Sequence, residues 1–502
     1  MLTPWVLAIA WKETKRYAGR QVVTFLNSMT KAKKAGESTL RLVPSVDQLL
    51  RADATAALRD SIGIRRLTAI ARLVTSEIRS MVLAEHNAEV PRVHTATTLM
   101  AEAVRRMEET TRTESLSGIR HVVNATGVVL HTNLGRAALS KAACEAMAAE
   151  ASRYCTLEYD SLSGTRGRRG ARVESLLKNL TGAEDALIVN NCAAAALLIL
   201  AVLAGDGETI VSRGELVEIG GDFRVPDVMA NSGTQMIEVG TTNRTRLEDY
   251  RRACNPKTRL IMRVHPSNYR IVGFADSPPL AELAAFAHKA KLPLYEDAGS
   301  GALEDLSQYG LGDEPVIRDL ILEGADIVSF SGDKLLGSAQ AGLIVGKAEI
   351  VERLRKHPLY RAVRSDKLRL AALEATLDAH QRSTALMEIP ALRMLTMMRE
   401  EIEERAKLLI NQISNNGSGP LTASLLPGES AIGGGAGPTT ALPTSLIGLT
   451  HESFSAQEIE TRLRFCSPPI VTRISEGKVL IDLRTVFCDE ESHLIAALKC
   501  LT

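Results

Sequence analysis

The segment Ala325-Asp-Ile-Val-Ser-Phe-Ser331-Gly-Asp333-Lys334-Leu-Leu-Gly337 puts a lysine just behind a short apolar run, and a second apolar run, Ala341 to Val345, follows. A run of this length bounded by Gly and Asp reads as a strand buried on both faces, the kind found in parallel sheets. A lysine brought against such a sheet loses hydration, which favours its neutral amine and suits it to bond with a carbonyl carbon. Comparable runs recur upstream at Ala186 to Val189, Ile210 to Val211, Leu260 to Val264 and Leu292 to Tyr295. They alternate with Ala/Leu-rich helical stretches, so most of residues 120–365 reads as an α/β domain with a mainly parallel sheet.

Two other polar points fall at predicted strand ends, where open parallel sheets place ligands. After Val189 come Asn190, Asn191 and Cys192, then the helical run Ala193 to Leu203, so Asn191, Cys192 and Ala193 form a turn and helix N-terminus suited to a phosphate. Asp297, in Tyr295-Glu-Asp-Ala-Gly-Ser-Gly301, ends another strand ahead of small residues. An ordinary turn explains the first alone, and a helix cap the second. Together with Lys334 they supply the three things pyridoxal 5′-phosphate needs: a phosphate cradle, a carboxylate for its ring nitrogen and a lysine for its aldehyde. One strand-helix-strand step separates Asp297 from Lys334, the spacing of fold-type I pyridoxal phosphate enzymes.

The 502 residues, 45% hydrophobic and 24% charged, exclude a peptide or a disordered chain and fit several domains. Residues 1–38 lack a core-like pattern and read as an extension. Residues 39–118 read as a helical domain and linker, with apolar residues from Val46 to Ile78 at three- and four-residue steps and Arg51, Arg59, Arg65, Arg66, Arg72 and Arg79 interleaved. Residues 119–370 form the large domain and 371–502 a smaller α+β domain, with Asn415 to Pro443 a Gly/Ser/Pro-rich connection. The net charge of +1 conceals an asymmetry: residues 1–120 hold 19 Lys+Arg against 12 Asp+Glu, and the remainder 41 against 47. A basic front is one reason to expect an anionic partner, although residues 1–28 supply +3 of it. Seven cysteines without a C-x-x-C pair fit reduced thiols in a cytoplasm, with no metal site, and the apolar start Met1 to Trp11 is too short to span a bilayer.

Four stretches carry a specific likeness: Asn124-Ala-Thr-Gly-Val-Val-Leu-His-Thr-Asn-Leu-Gly-Arg136, Arg213-Gly-Glu-Leu-Val-Glu-Ile-Gly-Gly221, His265-Pro-Ser-Asn-Tyr-Arg-Ile-Val-Gly-Phe274 and Ser329-Phe-Ser-Gly-Asp-Lys334. With His357-Pro-Leu-Tyr-Arg361-Ala-Val-Arg364, Gly433-Gly-Gly-Ala-Gly-Pro438 and Pro468-Pro-Ile-Val-Thr-Arg473, the chain from about residue 40 onward resembles bacterial selenocysteine synthase, the L-seryl-tRNA(Sec) selenium transferases. The resemblance implies that Lys334 bonds to the cofactor, Ser331 helps hold its phosphate and Asp297 faces its ring nitrogen. It places His265 near the ring, where stacking, hydrogen bonding and packing all remain open. Arg136, Arg169, Arg361 and Arg364 match positions for an anionic selenium donor, a use that suits guanidinium forks; on a helix Arg361 and Arg364 would share a face. Asp333 becomes a candidate acid/base, though strand alternation would turn it away from Lys334.

The implied reaction converts seryl-tRNA(Sec) to selenocysteyl-tRNA(Sec) with selenophosphate, through an aminoacrylyl intermediate, in a homo-oligomeric ring of dimers whose basic front domain grips tRNA. A β-eliminating lyase acting on a small phosphorylated amino compound would use the same Lys334 and Asp297, and a tRNA-binding protein without catalysis would not need Lys334. Gly342 to Ala348 has the wrong spacing for a P-loop, and Gly433 to Gly437 lacks the strand-to-helix context of a dinucleotide site.

Overall fold

The computed structural model describes residues 40–86, 94–220, 224–414 and 419–501; the extension read at residues 1–38 lies outside the described residues. The chain divides into two compact units, the first ending at Arg120 and the second beginning at His121.

In the first unit, α1 (Val46–Arg51) starts at a reciprocal cap: Gln48 N–H donates to Ser45 Oγ at 3.2 Å, and Ser45 N–H donates to Gln48 Oε1 at 2.9 Å. Two longer helices follow, α2 (Ala56–His86) and α3 (Ala96–Leu116). Leu67, Ile70, Val74 and Ile78 of α2 are buried with Leu99, Ala103 and Met107 of α3. Ile64 and Leu73, part of the apolar pattern, are half exposed. Gly63 breaks the helix with φ 76° just before Ile64, and the buried seam is narrower than the apolar stripe.

The second unit is built on a seven-stranded sheet: β1 (Asp185–Val189), β2 (Glu208–Ser212), β3 (Gln235–Val239), β4 (Thr258–Val264), β5 (Leu294–Gly299), β6 (Ile327–Ser331) and β7 (Gly342–Gly346). Their order is β1-β7-β6-β5-β4-β2-β3, parallel except that β7 runs against both neighbours. Apolar clusters line both sides, one holding Ile188, Ile261, Phe330 and Leu343 and the other Leu187, Met262, Tyr295 and Ile344. Alternate residues of each strand feed opposite cores, which is why these strands read as unbroken apolar runs.

The Gly/Ser/Pro-rich connection is a long hairpin and not a loop. Strands β8 (Leu421–Gly433) and β9 (Ala436–His451) pair antiparallel along nearly their full length and extend into a four-stranded sheet with β10 (Arg473–Ser475) and β11 (Lys478–Asp482). Pro427 is tolerated because β8 is an edge strand, and Pro443 because β9 meets β11 only from Leu446 to Leu449. The glycines serve packing: the Cα positions of Gly428 and Gly448 lie beneath the side chains of Leu446 and Leu426. Gly434 and Gly435 form a two-residue turn with φ 62° and 75°, the left-handed geometry that suits a hairpin's twist. Buried Arg484 fastens the hairpin near its tip, donating to Ser430 Oγ at 2.8 Å, to the Pro443 carbonyl at 2.6 Å and to the Met394 and Met397 carbonyls at 2.8 Å each.

A side chain at Gly434 would place its Cβ 2.8 Å from the Leu130 carbonyl oxygen, on a backbone L-residues avoid. Gly434→Ala should therefore destabilise the fold by about 2 kcal/mol. Urea unfolding checks this, and an unchanged midpoint would refute the tight turn.

Candidate active site

Lys334 lies in the turn after β6, and its side chain is buried, with only 3% exposed. The turn is shaped by backbone hydrogen bonds from Gly332 N to Ala341 O (2.9 Å), Ser338 N to Gly332 O (2.8 Å) and Leu335 N to Ser300 O (3.0 Å). The last bond ties it to the segment leaving β5, so Lys334 and Asp297 occupy neighbouring strand ends. Burial holds the Lys334 amine below its ordinary basicity; Arg136 adds to this, while Cys192, Asp297 and Asp333 oppose it. A neutral amine is the form that attacks an aldehyde carbon.

Asp297 accepts from Ser329 Oγ at 2.9 Å, and the Cys192 thiol lies 3.5 Å from the same oxygen. Burial raises the Asp297 carboxyl; Ser329, Cys192 and Lys334 pull it back down. Cys192 opens helix α4 (Cys192–Ala204), with Ala193 in its first turn. Asn191 caps the helix, its Oδ1 accepting from Ala194 N–H at 2.8 Å. Ser331, the last residue of β6, is buried across from this N-terminus and helps solvate the Cys192 sulfur. The Asn190 Oδ1 atom, just before the cap, is buried without a hydrogen-bond partner among the described residues.

Asp333 does not follow strand alternation, because β6 has already ended at Ser331. It is buried beside Lys334 and accepts from Arg136 at 2.7 Å. Arg136 takes a left-handed backbone, φ 63°, directly after Gly135, and its Nε is buried without a partner among the described residues. A 430 Å³ cavity lined by Thr132, Arg136, Asp333 and Gln340 opens beside the pair.

The other three arginines form a different arrangement. Arg169 donates to Glu158 Oε1 at 2.8 Å and to the Ser365 carbonyl at 3.0 Å, and Arg364 lies 3.7 Å from the same Glu158 oxygen. Arg166 donates to the other Glu158 oxygen at 2.8 Å, and Arg169 first, then Arg166, hold the Glu158 carboxyl below the usual range. Arg361 sits on α5 (Pro358–Val363), exposed and with no ion-pair partner among the described residues. Arg361 and Arg364 do not share a helix face: α5 ends at Val363, whose carbonyl accepts from Asn190 N–H at 2.8 Å, and Arg364 is extended and bridged to Val189. That bridge brings Arg364 to the end of β1, next to Asn190 and Asn191.

His265 is largely buried after β4, its Nε2 3.4 Å from Glu314 Oε2, while Glu314 Oε1 accepts from Gly437 N–H at 2.6 Å. This bond seats the glycine hairpin tip at the site: a Cβ on Gly435 would lie 3.3 Å from Lys334 Nζ. The tip went unread in the sequence as part of the site, though a Gly-Gly pair between strands is a hairpin signal; nothing in the sequence marks Glu158 or Glu314.

The residues fit pyridoxal 5′-phosphate. A buried amine of lowered basicity, a buried carboxylate one strand away, and a helix N-terminus whose backbone N–H groups face the buried Ser331 hydroxyl are the contacts its aldehyde, ring nitrogen and phosphate require.

A family profile described as "SelA: L-seryl-tRNA selenium transferase" matches residues 122–487. The chain is 45% identical over 462 residues to the L-seryl-tRNA(Sec) selenium transferase of Moorella thermoacetica, covering 91% of this chain and 96% of that protein. It is 48% identical over 382 residues to that of Geobacter sulfurreducens, covering 76% and 83%. Among solved structures, D-glucosaminate-6-phosphate ammonia-lyase aligns with a TM-score of 0.54 over 78% of this chain and 97% of that one; at 21% identity the likeness is one of fold.

Amine labelling of Lys334 in cofactor-free protein should rise with pH through a midpoint below the ordinary lysine value of 10.5. In Arg136→Ala the midpoint should move up, since a nearby cation is lost and Asp333 is left unpaired. Quantifying the labelled peptide by mass spectrometry measures both, and an Arg136→Ala midpoint that stays put or falls would contradict the coupling.

Proposed function

As the chain belongs to the L-seryl-tRNA selenium transferase family, we propose that it converts L-seryl-tRNA(Sec) to L-selenocysteyl-tRNA(Sec), taking selenium from selenophosphate. The observation that carries this reading is the turn after β6, where a buried lysine of lowered basicity adjoins a carboxylate already gripped by an arginine. Pyridoxal phosphate, when bound, supplies the electron sink that makes the seryl Cα–H acidic. Asp297 keeps a proton on the ring nitrogen. Lys334 Nζ would accept the Cα proton. Asp333, oriented by Arg136, would relay that proton from Lys334 to the departing β-hydroxyl, which would leave as water. Ser331, Asn191, Cys192 and Ala193 would hold the phosphate, and His265 would contribute to the pocket for the ring. The hairpin tip keeps water from Lys334.

Arg169 and Arg364 bind selenophosphate by exchanging Glu158 for a tetrahedral anion, to which Arg136, through its unpartnered Nε, and the exposed Arg361 add further donors. Glu158 joins two of these arginines through one oxygen, so a dianion can replace a single bridging carboxylate.

The first unit is the tRNA-binding part, and residues 371–502 act as a smaller domain whose own apolar cluster includes Ile402, Leu409, Ile447 and Leu494. Arg65, Arg72 and Arg79 lie seven residues apart on α2, exposed and without ion-pair partners among the described residues. Seven residues is nearly two helical turns, so they form one stripe, suited to a phosphate backbone. Subunits assemble as a ring of dimers, which would cover the exposed Tyr154, Leu162, Val272 and Phe274. The reaction takes place in the cytoplasm, in keeping with seven unpaired cysteines. No described helix is long and apolar enough to cross a membrane.

The deciding experiment supplies seryl-tRNA(Sec) and selenophosphate to the purified protein and identifies the esterified amino acid. Selenocysteine is expected; unchanged serine with bound cofactor would overturn the reading, and ammonia release from a phosphorylated amino compound would favour a lyase. Replacing Arg65, Arg72 and Arg79 with alanine should lower the slope of log affinity against log salt by about 2 to 3. An unchanged slope would move the tRNA contact elsewhere.

A further inference from the structure

A row of buried hydroxyls lies behind Asp297. Tyr295 and Asp297 are two apart on β5, so their side chains leave the same face of the sheet. Strand β6 runs alongside in parallel register, with Ser329 opposite Asp297. Ser329 Oγ is 2.9 Å from Asp297 Oδ1 and 2.7 Å from Tyr295 Oη. Both hydroxyl residues are wholly buried, at 0% exposure.

Counting hydrogens fixes the direction. A serine hydroxyl has one hydrogen, and an ionised carboxylate only accepts, so the Ser329 hydrogen goes to Asp297. The Ser329 oxygen is then the acceptor for Tyr295, whose O–H donates. Burial, reinforced by the charge of Asp297, pushes the Tyr295 phenol well above its ordinary value, so the proton that starts the chain stays in place. The Cys192 thiol meets the same Asp297 oxygen at 3.5 Å and lies 3.8 Å from Ser329. One carboxylate oxygen is thus committed to the protein's own donors. A strand interior at these positions would ordinarily be filled by Val or Phe, and two adjoining buried hydroxyls are tolerated because each satisfies the next.

We propose that Tyr295 and Ser329 are positioning residues for catalysis: a one-way donor chain, Tyr295 O–H to Ser329 O–H to Asp297 Oδ1, that keeps the carboxylate ionised and leaves its other oxygen for the ring nitrogen of pyridoxal phosphate. The chain offsets the effect of burial, which would otherwise favour the protonated acid, a form unable to hold a proton on the ring. The inference rests on the cofactor role given to Asp297 above and is independent of the tRNA substrate.

The test uses full-length protein stripped of cofactor and titrated with pyridoxal phosphate, comparing Tyr295→Phe, Ser329→Ala and the double variant. The readouts are the dissociation constant and the visible absorbance of the Lys334-bound cofactor, with thermal unfolding recorded in parallel. Loss of a hydrogen bond to a charged group should weaken binding about tenfold in Ser329→Ala, and Tyr295→Phe, acting through Ser329, about threefold. In the double variant the tyrosine has nothing left to act through, so it should match Ser329→Ala within about twofold. Packing losses alone would multiply. A Tyr295→Phe protein with wild-type affinity and spectrum, or one whose effect persists undiminished in the Ser329→Ala background, overturns the chain. Should Ser329→Ala fail to fold, Tyr295→Phe decides alone, since it removes a single oxygen at nearly constant shape. Wild-type protein that binds no pyridoxal phosphate would refute the cofactor role and this proposal together, whereas one that binds it without transferring selenium would refute only the substrate.

Discussion

Burying an amine is the constraint around which the second unit is arranged. An ammonium group removed from water must find compensating charge or give up its proton, and at Lys334 burial is the dominant influence. The surroundings are graded to leave that effect in force. Asp333, the closest carboxylate in sequence, spends its charge on Arg136, and Asp297 spends part of its own on Ser329. A carboxylate free to pair with the lysine would make a stable ion pair and an unreactive amine. The sheet supplies the burial, the turn after β6 supplies the location, and the arginine keeps the nearest anion occupied.

Distant parts of the chain meet at this point because the strand ends do. Asn191, Asp297, Ser331 and Lys334 come from the C-terminal ends of β1, β5 and β6, which run parallel and so gather at one edge of the sheet. The hairpin enters about a hundred residues later in the chain, and Arg484 fastens it with two hydrogen bonds to its strands and two to the Met394 and Met397 carbonyls. That guanidinium is buried with its donors engaged, the condition under which an interior arginine is tolerated. Glu314 makes the second attachment, at Gly437.

The strands, the lysine and its carboxylate partner were legible because they follow local rules: apolar runs of strand length, polar residues at their ends, and a spacing of one crossover. Helical spacing puts Arg361 and Arg364 on one face, but a tertiary contact overrides it, because the chain is pulled straight at Arg364 by Asn190 and Val189; strand alternation has no bearing on Asp333, since β6 ends at Ser331. The hairpin was hidden by composition, since Gly and Pro argue against strands when counted singly; here each sits at an edge, a turn or beneath a leucine. Glu158 and Glu314 carry no motif, and their importance exists only once the fold sets them against arginine, histidine and a backbone amide.

The glycine tip has a chemical consequence as well as a geometric one. A pocket that holds an aldehyde must also avoid trapping it, and every amine, thiol or hydroxyl within reach competes with the intended nucleophile. The surface presented to Lys334 by Gly435 consists of backbone alone, and peptide groups do not add to aldehydes under ordinary conditions. The tip is therefore a wall of inert material: it crowds the reactive atoms without offering a group that could react in their place.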